Sequence, residues 1–222
     1  MKISLGLVTS MPLKEGIRLA TFAEERGFYR CFVGEDILSR ELFTYLSVLA
    51  LKTRRIGLVS GITSPYVRNL AVLASSVFSL QRLCENRFDL GLGPSGLHEV
   101  VRSTGTEPRR PVGILRETVI LTRRLLRGDT ITYKSVDRRN VLQGFRLRGN
   151  RVRIPRIYLG VRGPKLLALA GEVADGVIFS GSKRRLREAL RIVERSATQA
   201  SRNPEDLERI LWIPFIEVRD SE

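Results

Sequence analysis

Residues 157–182 read IYLGVRGPKLLALAGEVADGVIFSGS. A short apolar run stops at Gly160, and Val161, Arg162 and Gly163 make a turn. Pro164 stands where the first residue of a helix often does, since the N–H it lacks would find no intrahelical partner there. A helical apolar pattern follows as far as Ala174, Asp175 and Gly176. A second apolar run then ends on Ser180, Gly181 and Ser182. Strand, helix and strand in such quick succession make a βαβ unit. Both strands are apolar throughout rather than alternating, which marks a parallel sheet covered by helices.

The same alternation runs outward from this unit. Strands are predicted over 2–8, 31–33, 56–63, 88–92 and 211–218, in addition to 157–160 and 177–180. Helices are predicted over 13–26, 40–55, 70–84, 112–127, 165–174 and 184–199. Gly27 and Gly128 stop two of them. Lys52, Arg54 and Arg55 favour the negative end of the second helix. The helix over 70–84 is apolar nearly all round and is expected to be well buried. That makes about seven strands. The first strand ends in Val8, Thr9 and Ser10 without a GxGxxG turn, so an open dinucleotide-binding sheet is disfavoured.

The expected fold is therefore α/β, a β/α (TIM-type) barrel forming one domain over 1–222. A complete barrel has eight strands and typically ~250 residues. The chain is accordingly expected to be a fragment, or a barrel shortened at its C-terminus whose open edge needs cover. Residues 129–155 break the rhythm. They are polar, basic and rich in β-formers around a glycine, the pattern of a hairpin or excursion loop.

Composition narrows the function. The chain has 222 residues, 43% hydrophobic and 27% charged, as in a globular domain. No apolar run is long enough to span a bilayer, and the N-terminal apolar run is too short for a signal peptide, so a cytoplasmic location is expected. Cys31 and Cys84 sit inside apolar patterns and form no CxxC pair, so no metal site is expected. The net charge of +15 suits an anionic ligand. No aromatic residues alternate with the basic groups, which makes nucleic acid a poor expectation.

In a β/α barrel the site lies at the C-terminal ends of the strands. Those ends carry Thr9 and Ser10, Glu35 and Asp36, Gly61, Ile62, Thr63 and Ser64, and Gly93, Pro94, Ser95 and Gly96. They continue with Gly160, Val161, Arg162 and Gly163, then Ser180, Gly181 and Ser182, and finally Arg219 and Asp220. The set is rich in Gly, Ser and Thr. It suits a phosphate and a flat ring better than a nucleophile. The amides that open the helix at Pro164, with Arg162 beside them, can form an anion site, and Ser180 and Ser182 add donors. Tight βα turns with no ligand are the other reading of these glycines. Glu35 and Asp36 are the candidate catalytic carboxylates, with a helix cap or an Arg pair as the alternative. His98 is the chain's one histidine. It is expected on a loop, and Arg68 either near a cofactor's acidic tail or exposed.

These residues resemble the bacterial luciferase-like flavin and deazaflavin oxidoreductases, and in particular the methylenetetrahydromethanopterin reductase branch. Three segments carry the resemblance: 157–182, GITSPYVRNLAVLASSVFSLQRLCENRFDLGLGPSG over 61–96, and RRPVGILRETVILTRRLLRGD over 109–129. The resemblance implies a barrel that binds the deazaflavin coenzyme F420, or alternatively FMN, and moves hydride to or from a small organic substrate. It implies phosphate contacts at Gly160, Val161, Arg162, Gly163, Pro164, Ser180, Gly181 and Ser182. It also implies a bulge at Gly61, Ile62 and Thr63 behind the ring, with a cis Gly61–Ile62 bond. Val8 stands where the reductase has Glu, Glu35–Asp36 where it has Asp-His, and Ser95–Gly96 where it has Gly-Asp. The cofactor half of the pattern is thus better kept than the substrate half. A non-catalytic flavin-binding relative is the alternative, and a nucleic-acid binder using 138–153 is a third. A homodimer is expected, with the helix over 70–84 as the candidate interface.

Overall fold

The computed structural model describes residues 1–105, 107–135 and 140–215. Seven strands form one parallel sheet: β1 (Leu5–Val8), β2 (Arg30–Gly34), β3 (Gly57–Ser60), β4 (Phe88–Leu92), β7 (Ile157–Gly160), β8 (Gly176–Phe179) and β9 (Glu208–Leu211). They pair in that order, with β1 and β9 as the two edges. Helices α1 (Leu13–Glu25), α2 (Leu42–Lys52), α3 (Leu70–Leu83), α4 (Leu97–Thr104), α5 (Pro111–Arg127), α6 (Pro164–Val173) and α7 (Lys183–Gln199) complete the βα units. The result is a β/α barrel open between β1 and β9. The excursion is a hairpin: β5 (Ile131–Lys134) pairs antiparallel with β6 (Val141–Phe145).

The strands are shorter than the apolar runs suggested. The continuous pairing of β3 stops at Ser60, Gly61 and Ile62 interrupt it, and Thr63 rejoins β4 by a parallel bridge to Leu92, so the run over 56–63 reaches its expected end with a bulge in it. The last strand begins at Glu208 rather than at 211, and the expected end of that strand at Val218 lies outside the described residues, as do Arg219 and Asp220. Helix α4 was not expected. Its eight residues follow two glycines and a proline, too few for a periodicity to register. His98 thus stands on a helix, where it is exposed.

Side-chain alternation divides the sheet into two faces. Cys31, Val33, Leu58, Phe88, Leu90, Leu92, Ile157, Leu159, Val177 and Phe179 point outward and meet the helices in the main core. Phe32, Val59, Tyr158 and Ile178 point inward, with Ile62, Ile210 and Trp212 packed on them. Where α1 crosses α2, a Cβ on Gly16 would lie 1.8 Å from the Tyr45 hydroxyl, so only glycine permits that approach. Side-chain oxygens of Glu41 and Asn69 accept from Thr44 and Val72 and cap α2 and α3.

The bottom of the barrel, at the strand N-termini, holds a buried ionic network. Arg30 of β2 meets Glu208 of β9 at 2.6 Å and Asp89 of β4 at 3.3 Å. The Tyr158 hydroxyl donates to Glu208 at 2.9 Å. Arg153, at the end of the excursion, donates to the Asp89 carboxylate and the Phe88 carbonyl, each at 2.9 Å. This clip fastens the excursion's return to the barrel base. Among the described residues no helix is long and apolar enough to cross a membrane.

Candidate active site at the barrel mouth

Period-two alternation makes the last inward position at the mouth end of each strand Val8, Gly34, Gly61, Gly93, Gly160, Ser180 and Trp212. Four adjacent strands, β2, β3, β4 and β7, therefore present glycine at the mouth. The side chain of Ile62 lies against two of these glycines. A Cβ on Gly93 would sit 2.5 Å from Ile62 Cδ1, and one on Gly160 would sit 2.6 Å from Ile62 Cγ2. The Gly61–Ile62 peptide bond is cis, as the resemblance implied. The Ile62 carbonyl accepts from the Glu35 amide at 3.2 Å.

The two small-residue loops of the opening segment lie side by side on this rim. They follow β7 and β8, which are paired neighbours. Arg162 Nε donates to Ser180 Oγ at 3.1 Å and ties them together. Gly163 and Ser182 are the N-caps of α6 and α7, and neither makes a side-chain cap bond. Ser182 and the first turn of α7 are exposed, so its hydroxyl and those first amides are open to solvent. Gly181 has φ +126°, a conformation that other residues avoid, and it allows the chain to turn there. Gly160, Val161, Arg162, Gly163, Pro164, Ser180, Gly181 and Ser182 are thus brought into one cluster, and Ile62, from the segment Gly61, Ile62 and Thr63, reaches Gly160 at its edge. Nothing in the site residues requires a metal, and no group of His, Cys, Asp and Glu suited to one occurs among the described residues.

The two candidate carboxylates differ. Glu35 accepts from Thr63 Oγ1 at 2.7 Å and from both Arg68 terminal nitrogens, at 2.8 and 2.5 Å. Its side chain is 5% exposed. Arg68 also reaches Glu41 and lies over the Phe43 ring. It is a buried clamp rather than an exposed cation. Burial disfavours the charged guanidinium, but its hydrogen bonds to Glu35 and Glu41 and their charges together outweigh this and hold the Arg68 pKa above its usual value. Glu41 is held below the carboxylate range: burial opposes this, and the Thr44 amide and Arg68 override it. Asp36 accepts from the Leu38 amide through Oδ1, and its backbone is pinned to the Thr9 hydroxyl, whose oxygen accepts from the Asp36 amide at 2.9 Å. Its Oδ2 has no protein partner among the described residues. Of the two alternatives weighed for this pair, the Arg partner is realised at Glu35, while the helix cap falls to Glu41.

Sequence reasoning missed Trp212. It lies inside the strand predicted over 211–218 but one residue past β9 as observed, and its inward direction follows only from the register 208, 210, 212. The tie from Arg68 to Glu35 was also hidden, because the two residues are 33 apart in sequence.

A sequence model of luciferase-like monooxygenases matches residues 2–222. The chain belongs to this family. Among luciferase-like relatives, a 5,10-methylenetetrahydromethanopterin reductase of Methanolobus tindarius is 32% identical over 97% of this chain and 65% of its own length. The corresponding reductase of Archaeoglobus fulgidus is 32% identical over 82% of this chain and 54% of its own length. The chain thus spans less than two thirds of the length of these luciferase-like relatives. The fold matches the coenzyme F420-dependent tetrahydromethanopterin reductase of Methanopyrus kandleri with a TM-score of 0.86, at 21% identity, over 95% of this chain and 65% of that one. An F420-dependent secondary alcohol dehydrogenase, solved with an F420–acetone adduct, matches with a TM-score of 0.85 at 21% identity over 95% of this chain and 68% of that one. Both are barrels of the expected class.

Proposed function

We propose that this chain is the cofactor-holding part of a luciferase-like oxidoreductase that uses the deazaflavin F420, with FMN as the alternative, and acts on a small organic molecule. One observation carries the reading: Arg162 joins the loops 160–164 and 180–182 beside two helix N-termini, next to the glycine-lined mouth. The residues fit the group. A Cβ on Gly163 would meet no atom within 4 Å, so the rim beside Arg162 has room for an anion, and Ile62, which fills the space beside Gly93 and Gly160, offers an apolar surface to a planar ring. The amides of α7, the Ser182 hydroxyl and Arg162 suit a phosphate. The bound cofactor would supply the hydride chemistry. Gly61, Ile62 and Thr63 back the ring, and Arg68, by clamping Glu35 to Thr63, fixes the turn that holds them. Asp36, with one oxygen free of the protein, is the candidate to hold or move a proton, and Glu35 the candidate to position it.

The test is titration of the purified chain with F420 and with FMN, each followed by ultrafiltration. Binding tighter than tens of micromolar to one of them is expected, and failure with both overturns the proposal. The engagement of Glu35 by Arg68 favours one second reading, a relative that binds cofactor without turning over. Reduced cofactor that binds and is never reoxidised by any carbonyl or imine substrate supports that reading. A homodimer through the α2–α3 face is part of the proposal: an open groove of about 1000 Å³ runs there past Ser47, Ser75, Ser76 and Ser79, beside exposed Val72. Light scattering that gives a single-chain mass at all concentrations removes it.

A further inference from the structure

Trp212 lies in the barrel mouth without an assigned role. Its amide donates to the Phe179 carbonyl at 2.8 Å and carries the β8–β9 pairing one residue past Leu211. The alternation of 208, 210 and 212 then turns the indole inward, where it packs in the inner cluster with Phe32, Val59 and Ile62. The six-membered end crosses the open side of the barrel. A Cβ on Gly6 of β1 would come 3.1 Å from Cη2, and one on Gly61 would come 3.3 Å from Cζ3. The indole thus spans from the last strand to the first and reaches the turn after β3. The residue is only half-buried. The last inward positions of β2, β3, β4 and β7 are glycines, so the indole, Ile62 and Ile178 are the large apolar bodies beneath the mouth.

We infer that Trp212 is a wall of the ligand site, in direct contact with the planar ring bound in the mouth. This rests on the function proposed above. An aromatic face offered to a flat heteroaromatic ring gives offset or edge packing that is specific as well as apolar. Trp212 also joins two sheet edges that share no backbone pairing, so a ring seated against it would be held by both edges of the open barrel at once.

The chain contains one tryptophan, so its emission reports on this residue alone. The full chain is loaded with F420, and separately with FMN, and bound ligand is measured by ultrafiltration and absorbance. Acrylamide quenching of the tryptophan lifetime is then compared with and without ligand. Acrylamide access is expected to fall at saturation. Trp212→Ala is expected to weaken binding about tenfold, while Trp212→Phe stays within about twofold. Unchanged acrylamide access at saturation overturns the inference, and so does wild-type affinity in Trp212→Ala. Should Trp212→Ala not fold, the wild-type quenching decides alone. Absence of binding to either ligand overturns the proposed function and this inference together, whereas binding with unchanged access overturns only the inference.

Discussion

Arg68 spans both oxygens of Glu35, at 2.8 and 2.5 Å, across 33 residues of sequence. The pair fastens the end of β2 to the turn after β3, and Thr63 Oγ1 completes the tie. Both side chains are nearly closed to solvent, at 11% and 5% exposure. Removing one member strands the other charge. Arg68→Ala should therefore lose about 3 kcal/mol of stability. The double variant Arg68→Met/Glu35→Gln should lose less than the sum of its two single changes. Urea denaturation of the four proteins checks this, and strict additivity would contradict the clamp.

The glycines at the mouth make a second prediction. Gly160→Ala sets a Cβ 2.6 Å from Ile62 Cγ2, so it should cost about 1–3 kcal/mol. Ile62→Ala in the same chain removes that atom and should recover part of the loss. Gly93→Ala should not be rescued in the same way, because its Cβ would also sit 2.6 Å from the Gly160 carbonyl oxygen, which no side-chain change removes. Thermal melts of the five variants distinguish the two glycines.

The parts of the fold that were legible in the sequence are those that local pattern controls. Residues 157–182 declare strand, turn, helix and strand because each element has its own punctuation: Gly160, Pro164, Gly176, Gly181. The strand 88–92 was read to the residue for the same reason. Local pattern fails where pairing decides. The apolar pattern over 56–63 gives no sign of the interruption at Gly61 and Ile62 before Thr63 rejoins β4, since that depends on β2 and β4 alongside. The last strand starts early, at Glu208, because a polar residue there is satisfied by Arg30 from β2. The rim loops were legible as a set, since small residues after strands mark βα turns. The different surroundings of Glu35 and Asp36 were not, because Arg68 and Thr63 reach Glu35 only through the fold.

The base of the barrel gives a pH prediction. Burial alone pushes the Glu208 carboxyl up, but Arg30 outweighs this, with help from the Tyr158 hydroxyl and Arg156, and Glu208 ends below the usual carboxylate range. As pH falls, the unfolded chain therefore takes up this proton before the folded one does. The stabilisation is present in full above the unfolded-state pKa of ~4.3 and disappears as pH drops through the folded value. Glu208→Gln should destabilise the protein at neutral pH by on the order of 2–3 kcal/mol, less than a fully buried pair because the carboxylate is 24% exposed. It should also flatten the fall in stability below about pH 4.3. Acid unfolding followed by circular dichroism checks both, and an unchanged slope would exclude the assignment.

Cys31 and Cys84 are buried free thiols. Burial pushes Cys31 up to about 12, so almost none of it is thiolate near neutral pH. Burial also raises Cys84, against the opposing hydrogen bond from the Arg87 amide. Native protein should react with neither iodoacetamide nor a disulfide reagent over hours at pH 8, and denatured protein should react at both positions. Fast labelling of one thiol in the native state would show that the core between sheet and helices opens more readily than its packing indicates.

The paired rim loops give the most direct handle on ligand binding. Arg162 contributes a charge and a bond to Ser180, and Ser182 contributes a hydroxyl that its own helix does not use. Gly181 contributes only a backbone shape, with φ +126°. Three variants should therefore fail in different ways. Arg162→Ala should weaken binding of an anionic cofactor about tenfold and reduce its salt dependence, since one charge–charge contact is lost. Ser182→Ala should weaken binding by less than that, with the salt dependence unchanged, because a neutral donor is removed. Gly181→Ala forces an ordinary residue into a conformation it resists, so it should lower stability and affinity together. Calorimetric titration at two salt concentrations, with a thermal melt of each variant, separates charge, donor and shape. If all three variants bind like the unaltered chain, the anion lies elsewhere and the rim loops are turns alone.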